Sequence, residues 1–377
     1  MRAGSRSIRD VMHRVVHVDR QRAWTGQMGR LLRVAAGTRD LGHDVRIVAP
    51  AESPLAERAP ELGLPFIPLA FRGWRTWPAA FALARLLREH PADVLHAHGG
   101  RDHQVAWVAR RMARVPFLVR TKHNHTPLKG GRLGRRVYAA TDRVIAVSDF
   151  TRDLLLRDGI PDPKIRVVKT AFDLERVAPR PKDRDVQAEL GLTDQHVVFG
   201  NVSRLAEEKG IEELLRAAAL LRTQPGGERM RVVLAGNTPE LWTSLVAELG
   251  LRDVVHLLPY RKDVRPLVSV FDVFVMPSRE EALGTSLIEA LAMGKAAIGA
   301  RVGGIPETLV PGTGLLVPAR DPQALAAAMG ELLGDAERRE ALATAGRAHV
   351  VATYSLERLV GETVSIYDEL RATIASA

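Results

Sequence analysis

The 377-residue sequence contains no cysteine. Disulfides, thiolate-held zinc, iron–sulfur clusters and cysteine nucleophile chemistry are thereby excluded. Aromatic residues make up only 5%, and no stacking array or recognition motif for nucleic acid accompanies them. No run approaches the roughly 18 apolar residues of a membrane span. The opening stretch Met1–Asp10 is basic but lacks an apolar core, so it does not read as a secretory signal. Lysine is scarce, with 8 Lys against 46 Arg. What remains is an ordinary globular apolar content of 46% in a chain longer than one hydrophobic core usually supports. Two domains and a cytoplasmic location are expected.

The formal charge of +10 is unevenly spread. Residues 1–170 carry 31 Lys plus Arg against 15 Asp plus Glu, net +16, and the remainder is net −6. Between His103 and Thr141 there is no acid, while Arg110, Arg111, Arg114, Arg120, Lys122, Lys129, Arg132, Arg135 and Arg136 fall there. Such a patch suits nucleic acid, anionic headgroups or a phosphorylated small molecule, or is simply a solvated surface. The change of sign falls near the Pro-rich stretch Val177–Asp185, which reads as a linker.

Apolar runs alternate with amphipathic stretches throughout. Arg14–Val18, Asp44–Ala49, Asp93–His96, Phe117–Thr121 and Asp142–Val147 read as strands of a first half, with helices over Gln27–Asp40, Ala79–Glu89, Gln104–Met112 and Ser148–Arg157. His196–Val202, Arg231–Ala235, Val254–Leu258, Val273–Met276 and Ala296–Ala300 repeat the pattern, with helices over Ile211–Leu221, Leu241–Leu249, Thr285–Met293 and Pro322–Leu333. This alternation predicts an α/β protein of two doubly wound, Rossmann-like domains facing across a cleft. The divisions expected are a first domain at 1–176, a linker at 177–185, a second domain at 186–354 and a helical tail at 355–377 that packs back on the first domain.

Two stretches carry chemistry. In Pro277–Ala292 (PSREEALGTSLIEALA), Glu281 precedes a helix opened by Thr285, and Thr285 and Glu289 share one helix face. A helix N-terminus offers free N–H groups to phosphate, and Gly284 allows close approach. Glu289 could take a ribose diol and Glu281 the hydroxyls of a sugar. In Gly200–Leu215 (GNVSRLAEEKGIEELL), Arg204 and Lys209 are five apart on a loop and could reach one diphosphate. Either glutamate alone reads as solvated surface, and the Arg204–Lys209 pair alone reads equally so, but Glu281 and Glu289 together with Gly284 and the apolar Leu287, Ile288 and Leu291 favour a functional site.

Together these motifs resemble the retaining family-4 glycosyltransferases of the GT-B fold. The resemblance continues through Gly303–Glu307 (GGIPE), Gly314–Pro318 (GLLVP), Asp321–Leu325 (DPQAL), Trp24–Gly26, Gly42–Val45 and Asp142–Ser148 (DRVIAVS), and covers nearly the whole chain. It is most similar to the bacterial branch that builds lipopolysaccharide and other cell-envelope glycans. The resemblance implies a nucleotide-diphospho-sugar donor, such as a UDP- or GDP-sugar, with Arg204 and Lys209 on the diphosphate. It implies Glu289 on the ribose, Glu281 on the donor sugar, and Gly284, Thr285 and Ser286 at the phosphate or sugar. Tyr260 and Arg261 fall where the base is read, and Gly26 lies in the glycine loop. His123 is implied beside the reacting sugar, as a hydrogen-bonding group rather than a base, with His98 second and His96 and His125 structural.

No cofactor and no metal is implied. Four histidines could hold a metal, but His96/His98 and His123/His125 have strand spacing, which points each pair to one face. Asp183-Arg184-Asp185 imitates a metal-binding DxD but has no strand before it and reads as a solvated charge run. Asp19, just after the first strand, could face an acceptor. The expected acceptor is an anionic or lipid-linked glycan, with peripheral contact to the inner face of an anionic membrane and no nucleic-acid partner. A sugar-nucleotide epimerase, a glycan phosphorylase, an inactive homologue and a basic nucleic-acid-binding protein are the alternatives. Base and sugar specificity would reside in loops such as Phe71–Trp77 and Asn124–Arg132.

Overall fold

The computed structural model describes residues 12–375 apart from 72–76, 125, 127, 129, 130, 173 and 175. Met1–Asp10, His125 and Lys129 lie outside the described residues, as do the side chain of Arg132 and parts of the two specificity loops. The chain divides into two compact units, residues 1–171 with 356–377, and residues 172–355.

The first unit is built on seven strands: Arg14–Val18 (β1), Asp44–Ala49 (β2), Phe66–Pro68 (β3), Val94–Ala97 (β4), Phe117–Lys122 (β5), Arg143–Ala146 (β6) and Ile165–Val167 (β7). All pair in parallel in the order β3-β2-β1-β4-β5-β6-β7. The order reverses direction between β1 and β4, and ligands of such sheets bind beyond the strand ends at that point. Apolar clusters cover both faces, because central parallel strands are buried on each side. The C-terminal helix Leu356–Ala375 supplies Leu359, Ile366, Tyr367 and Leu370 to one cluster, and Asp368 binds His13 at 2.6 Å. With that helix the unit holds 33 basic and 19 acidic residues, net +14.

The second unit has six strands: Val197–Val202 (β8), Met230–Ala235 (β9), Val255–Leu258 (β10), Val273–Met276 (β11), Ala296–Ala300 (β12) and Leu315–Val317 (β13). They run in parallel in the order β10-β9-β8-β11-β12-β13, with the switch between β8 and β11.

Three expectations need correction. The stretch read as a linker lies within the second unit: Val177 is buried, Lys182 pairs with Asp272 at 2.7 Å, and Asp183 caps the helix Arg184–Glu189 through the N–H of Val186. The DRD charge run is therefore in part a helix cap. Arg120 and Lys122, read as members of a basic surface patch, are buried, because β5 is paired on both sides.

Candidate functional site

Beyond β8 and β11 the loops of the second unit are locked together. The ladder between these strands ends at Phe274 and Gly200. Past it, Asn201 bridges them, its Nδ2 donating to the Val275 carbonyl at 2.7 Å. The loop after β8 then turns at Gly210, whose φ of +68° is open to glycine at low cost. A Cβ there would come within 2.0 Å of the Pro277 carbonyl oxygen, so the loop carrying Lys209 lies directly against the end of β11.

This apposition brings Lys209 and Glu281 together. Lys209 Nζ donates to Glu281 Oε2 at 2.6 Å, with both side chains only 15% exposed, and Glu281 Oε1 accepts from the N–H of Ala282 at 3.1 Å. Gly303 presses on the same loop: a Cβ there would lie 1.6 Å from the Glu281 carbonyl oxygen. Arg279 was not singled out in the sequence, yet it fastens the two loops, reaching Glu207, Glu212 and Glu213 at 2.7, 3.1 and 2.7 Å while its N–H donates to the Glu208 carbonyl at 2.9 Å. These carboxylates hold its guanidinium proton more firmly than usual.

Gly284 sits at φ +82° and opens the helix Thr285–Ala292. Thr285, Ser286 and Glu289 are half-buried on it, and the first N–H groups of the helix have no intrahelical acceptor. Arg204 is exposed and pairs with Glu208 at 2.9 Å. Tyr260 is exposed after β10, and Arg261 pairs with Glu189, so among the described residues neither is tied to the Lys209–Glu281 pair. A cation, a carboxylate and a helix N-terminus at one switch point can together receive a phosphate and a polyol hydroxyl.

The switch point of the first unit is filled differently. His17 of β1 and His96 of β4 are register partners. The rings of His96 and His98 stack at 4.5 Å, as their spacing of two predicts. His17 Nδ1 meets His98 Nε2 at 2.9 Å, and His98 Nδ1 meets His123 Nε2 at 3.1 Å. His96 stands aside, its Nδ1 bonded to Tyr367 Oη and its Nε2 to Thr121 Oγ1, each at 2.7 Å. Burial drives the proton affinity of His17 down to about 3 and lowers that of His96, His98 and His123 well below the usual value.

Nearby, Asp19 is fully buried, accepting from the N–H of Gln21 at 2.7 Å and from Gln27 Nε2 at 2.5 Å. Gln27 follows Gly26, which begins the helix Gly26–Asp40. Burial, with Asp102 second, pushes Asp19 up to about 7. Lys122 donates to Asn124 Oδ1 at 2.5 Å, and burial brings it down to about 8. Ring nitrogens of His17, His96 and His98 lie within 4.8 Å of one another, but those of His96 and His98 are all hydrogen-bonded and no carboxylate belongs to the group.

Comparison with known proteins adds the following. Residues 182–349 match the glycosyl transferases group 1 and residues 25–176 match Glycosyltransferase Family 4. The D-inositol 3-phosphate glycosyltransferase of Saccharomonospora viridis is 33% identical over 309 residues, covering 74% of this chain and 70% of that one. Its namesake from Corynebacterium urealyticum is 30% identical over 395 residues, with 93% of each chain covered. Anabaena HepE in complex with UDP and glucose has a TM-score of 0.83 at 21% identity, covering 94% of this chain and 99% of the other, a likeness of fold.

Proposed function

The chain belongs to the GT-B glycosyltransferases of group 1 and family 4, and from that premise we propose that it transfers a sugar, with retention at the anomeric carbon, from a nucleotide-diphospho-sugar to a phosphate-bearing acceptor. The observation that carries this reading is the Lys209–Glu281 pair at 2.6 Å, fixed at the switch point of the second unit beside the helix that begins at Thr285.

In this scheme Arg204 and Lys209 hold the diphosphate, with the amides around Gly284, Thr285 and Ser286. Glu281 accepts from donor-sugar hydroxyls, Glu289 holds the ribose, and Tyr260 with Arg261 stands near the base. The anomeric carbon loses its bond to the phosphate oxygen and gains one to the acceptor oxygen on the same face. The acceptor proton passes to the departing phosphate, so no protein base is needed, and attack on the face that the phosphate leaves needs no protein nucleophile. Fixed cations that meet the leaving charge are worth several kcal/mol in such reactions. The scheme uses no resident metal or cofactor. In the first unit, His123 hydrogen-bonds the donor sugar, with His98 behind it, and Gly26 stands in the loop before the helix that carries Gln27.

The acceptor class is supported by the relatives, named for D-inositol 3-phosphate, and by the net +14 of the first unit. They do not carry the expectation of a lipopolysaccharide acceptor. The test is thermal stabilisation by a panel of UDP-, GDP- and ADP-sugars, followed by transfer to inositol phosphates and the anomeric configuration of the product by NMR. One nucleotide-sugar raises the melting temperature. No stabilisation by any of them would overturn the donor assignment, and an inverted product would overturn retention.

A second reading, a lipid-linked glycan acceptor at the cytoplasmic face of an anionic membrane, is favoured by one feature. Trp77, Phe81 and Arg85 lie at i, i+4 and i+8 of the helix Trp77–Glu89, and all are exposed. Salt-sensitive binding to anionic vesicles, absent on neutral ones, supports it, and equal binding to both sinks it. Among the described residues no helix is long and apolar enough to cross a membrane.

A further inference from the structure

His17 does not touch the surface, and neither composition nor motif marks it: it sits inside the apolar strand Arg14–Val18. It is nonetheless the inner end of a continuous line of ring nitrogens, His17 Nδ1 to His98 Nε2 at 2.9 Å and His98 Nδ1 to His123 Nε2 at 3.1 Å. Its own Nε2 is buried and has no partner. His123 is half-buried at the outer end, where its Nδ1 makes no bond to the described residues.

A neutral imidazole has one N–H and one bare nitrogen. Each nitrogen–nitrogen contact needs one hydrogen, so choosing the tautomer of one ring fixes the other two. The choice is made at His17. If its Nε2 carried the hydrogen, a donor would be buried without an acceptor, which is the rarer defect in folded proteins.

We propose that His17 and His98 are positioning residues that lock His123 in its Nδ1–H tautomer, so that His123 presents a hydrogen-bond donor to the substrate. With Nε2 bare, His17 donates from Nδ1 to His98 Nε2, His98 donates from Nδ1 to His123 Nε2, and the hydrogen of His123 is left on Nδ1. His96, held by Tyr367 and Thr121, lies outside the line and braces the ring of His98 by stacking. The bonds polarise one another along the chain, which strengthens the outermost donor. A donor at His123 suits an oxygen that gains negative charge, and does not suit a base.

The inference rests on placing His123 at the donor sugar, but its first test does not. Nitrogen-15 NMR of the histidine-labelled protein distinguishes the two neutral tautomers of each ring. Free imidazole side chains prefer Nε2–H, so Nδ1–H on His17, His98 and His123 together is the distinctive expectation. In His17→Phe the line loses its end and His98 and His123 revert to mixed tautomers. In His17→Asn the amide N–H donates to His98 Nε2, and Nδ1–H is kept.

Turnover in His17→Phe falls roughly tenfold, the loss of one polarised hydrogen bond, while the nucleotide-sugar KM is unchanged; His17→Asn recovers most of it. Nε2–H on His123 in the native protein, or an unchanged tautomer in His17→Phe, overturns the lock. If the tautomer changes as expected while turnover does not, the lock holds and the placing of His123 at the sugar falls instead.

Discussion

The two units share one architecture and treat charge in opposite ways at the same topological position. Beyond β8 and β11 the second unit gathers Lys209, Glu281 and Arg279 with its three carboxylates, all joined in ion pairs, from the loops and from the start of the helix Ile211–Arg222. Beyond β1 and β4 the first unit gathers His17, within β1, with His98 and His123, each one residue past the end of its strand, their proton affinities lowered by burial. A parallel sheet opens at its switch point in both cases. The depth at which the lining groups are buried decides whether they serve as ion pairs or as hydrogen-bonded neutral rings. A net +14 in the first unit coexists with a line of neutral histidine rings, and a net −4 in the second with the cations a diphosphate requires.

The largest effect expected from this contrast is in the second unit. Lys209→Ala removes a fixed cation and strands Glu281, and turnover falls by roughly 100- to 1,000-fold, about 3 to 4 kcal/mol of barrier, with weaker nucleotide-sugar binding besides. Glu281→Ala lowers turnover by a similar factor with little change in donor affinity. Steady-state kinetics separate the two, and full activity in both variants would refute the site. A double-mutant cycle shows strong non-additivity, because each partner leaves the other only partly solvated.

Next comes the response to acid, which the two units should not share. His17, His96, His98, His103 and His123 all have proton affinities lowered by burial in the folded first unit. Below about pH 6.5 the unfolded chain binds more protons at these rings than the folded one, so stability rises with pH there. Their contribution is full above that value and is lost as the pH falls towards 3. Asp19, raised to about 7, and Asp102, also raised, act in the opposite sense between about 4 and 7. Five rings against two carboxyls leave a net loss on acidification. In the second unit His196 and His256 are lowered, and neither is deeply buried. Hydrogen exchange between pH 7 and 5 should therefore deprotect β1, β4 and β5 before β8 and β11, and the reverse order would break the comparison.

The same contrast explains what the sequence revealed. Lys209, Glu281 and Glu289 were legible because loop chemistry is local: glycines, charges and a helix start lie within a few residues. His98 and His123 were legible as alternating residues at strand ends. His17 was not, since a histidine in RVVHV reads as strand filling until the order β1-β4-β5 sets three strands side by side. Arg279 hid within the recognised motif PSREEALG, its role visible only once Glu207, Glu212 and Glu213 are brought beneath it. Strands β3, β7 and β13 are three residues each, too short to show a period. The helix Gly131–Ala139 lay within the acid-free basic stretch and was read only as charge.

Glu289 offers a smaller test on the second unit. Glu289→Ala should weaken nucleotide-sugar binding roughly tenfold, about 1.4 kcal/mol, with turnover at saturation almost intact. Titration calorimetry against kcat separates this from the Glu281 effect.

The smallest expected effect concerns whether pairing by itself matters. Arg216–Glu212 and Arg279–Glu212 share one carboxylate, but Arg216 is 46% exposed and Arg279 only 13%. Arg216→Ala removes an exposed i,i+4 pair and should shift stability by about 0.5 kcal/mol or less, reduced further by salt. Arg279→Ala strands Glu213, which is 7% exposed, and loosens the loop that holds Glu281. It should cost several times more and lower turnover as well. Equal effects of the two substitutions on melting temperature and kcat would mean that the ion pairs of the second unit merely decorate its surface. A clear separation would mean that the buried ion pairs of the second unit build its site, as the line of histidine rings builds that of the first.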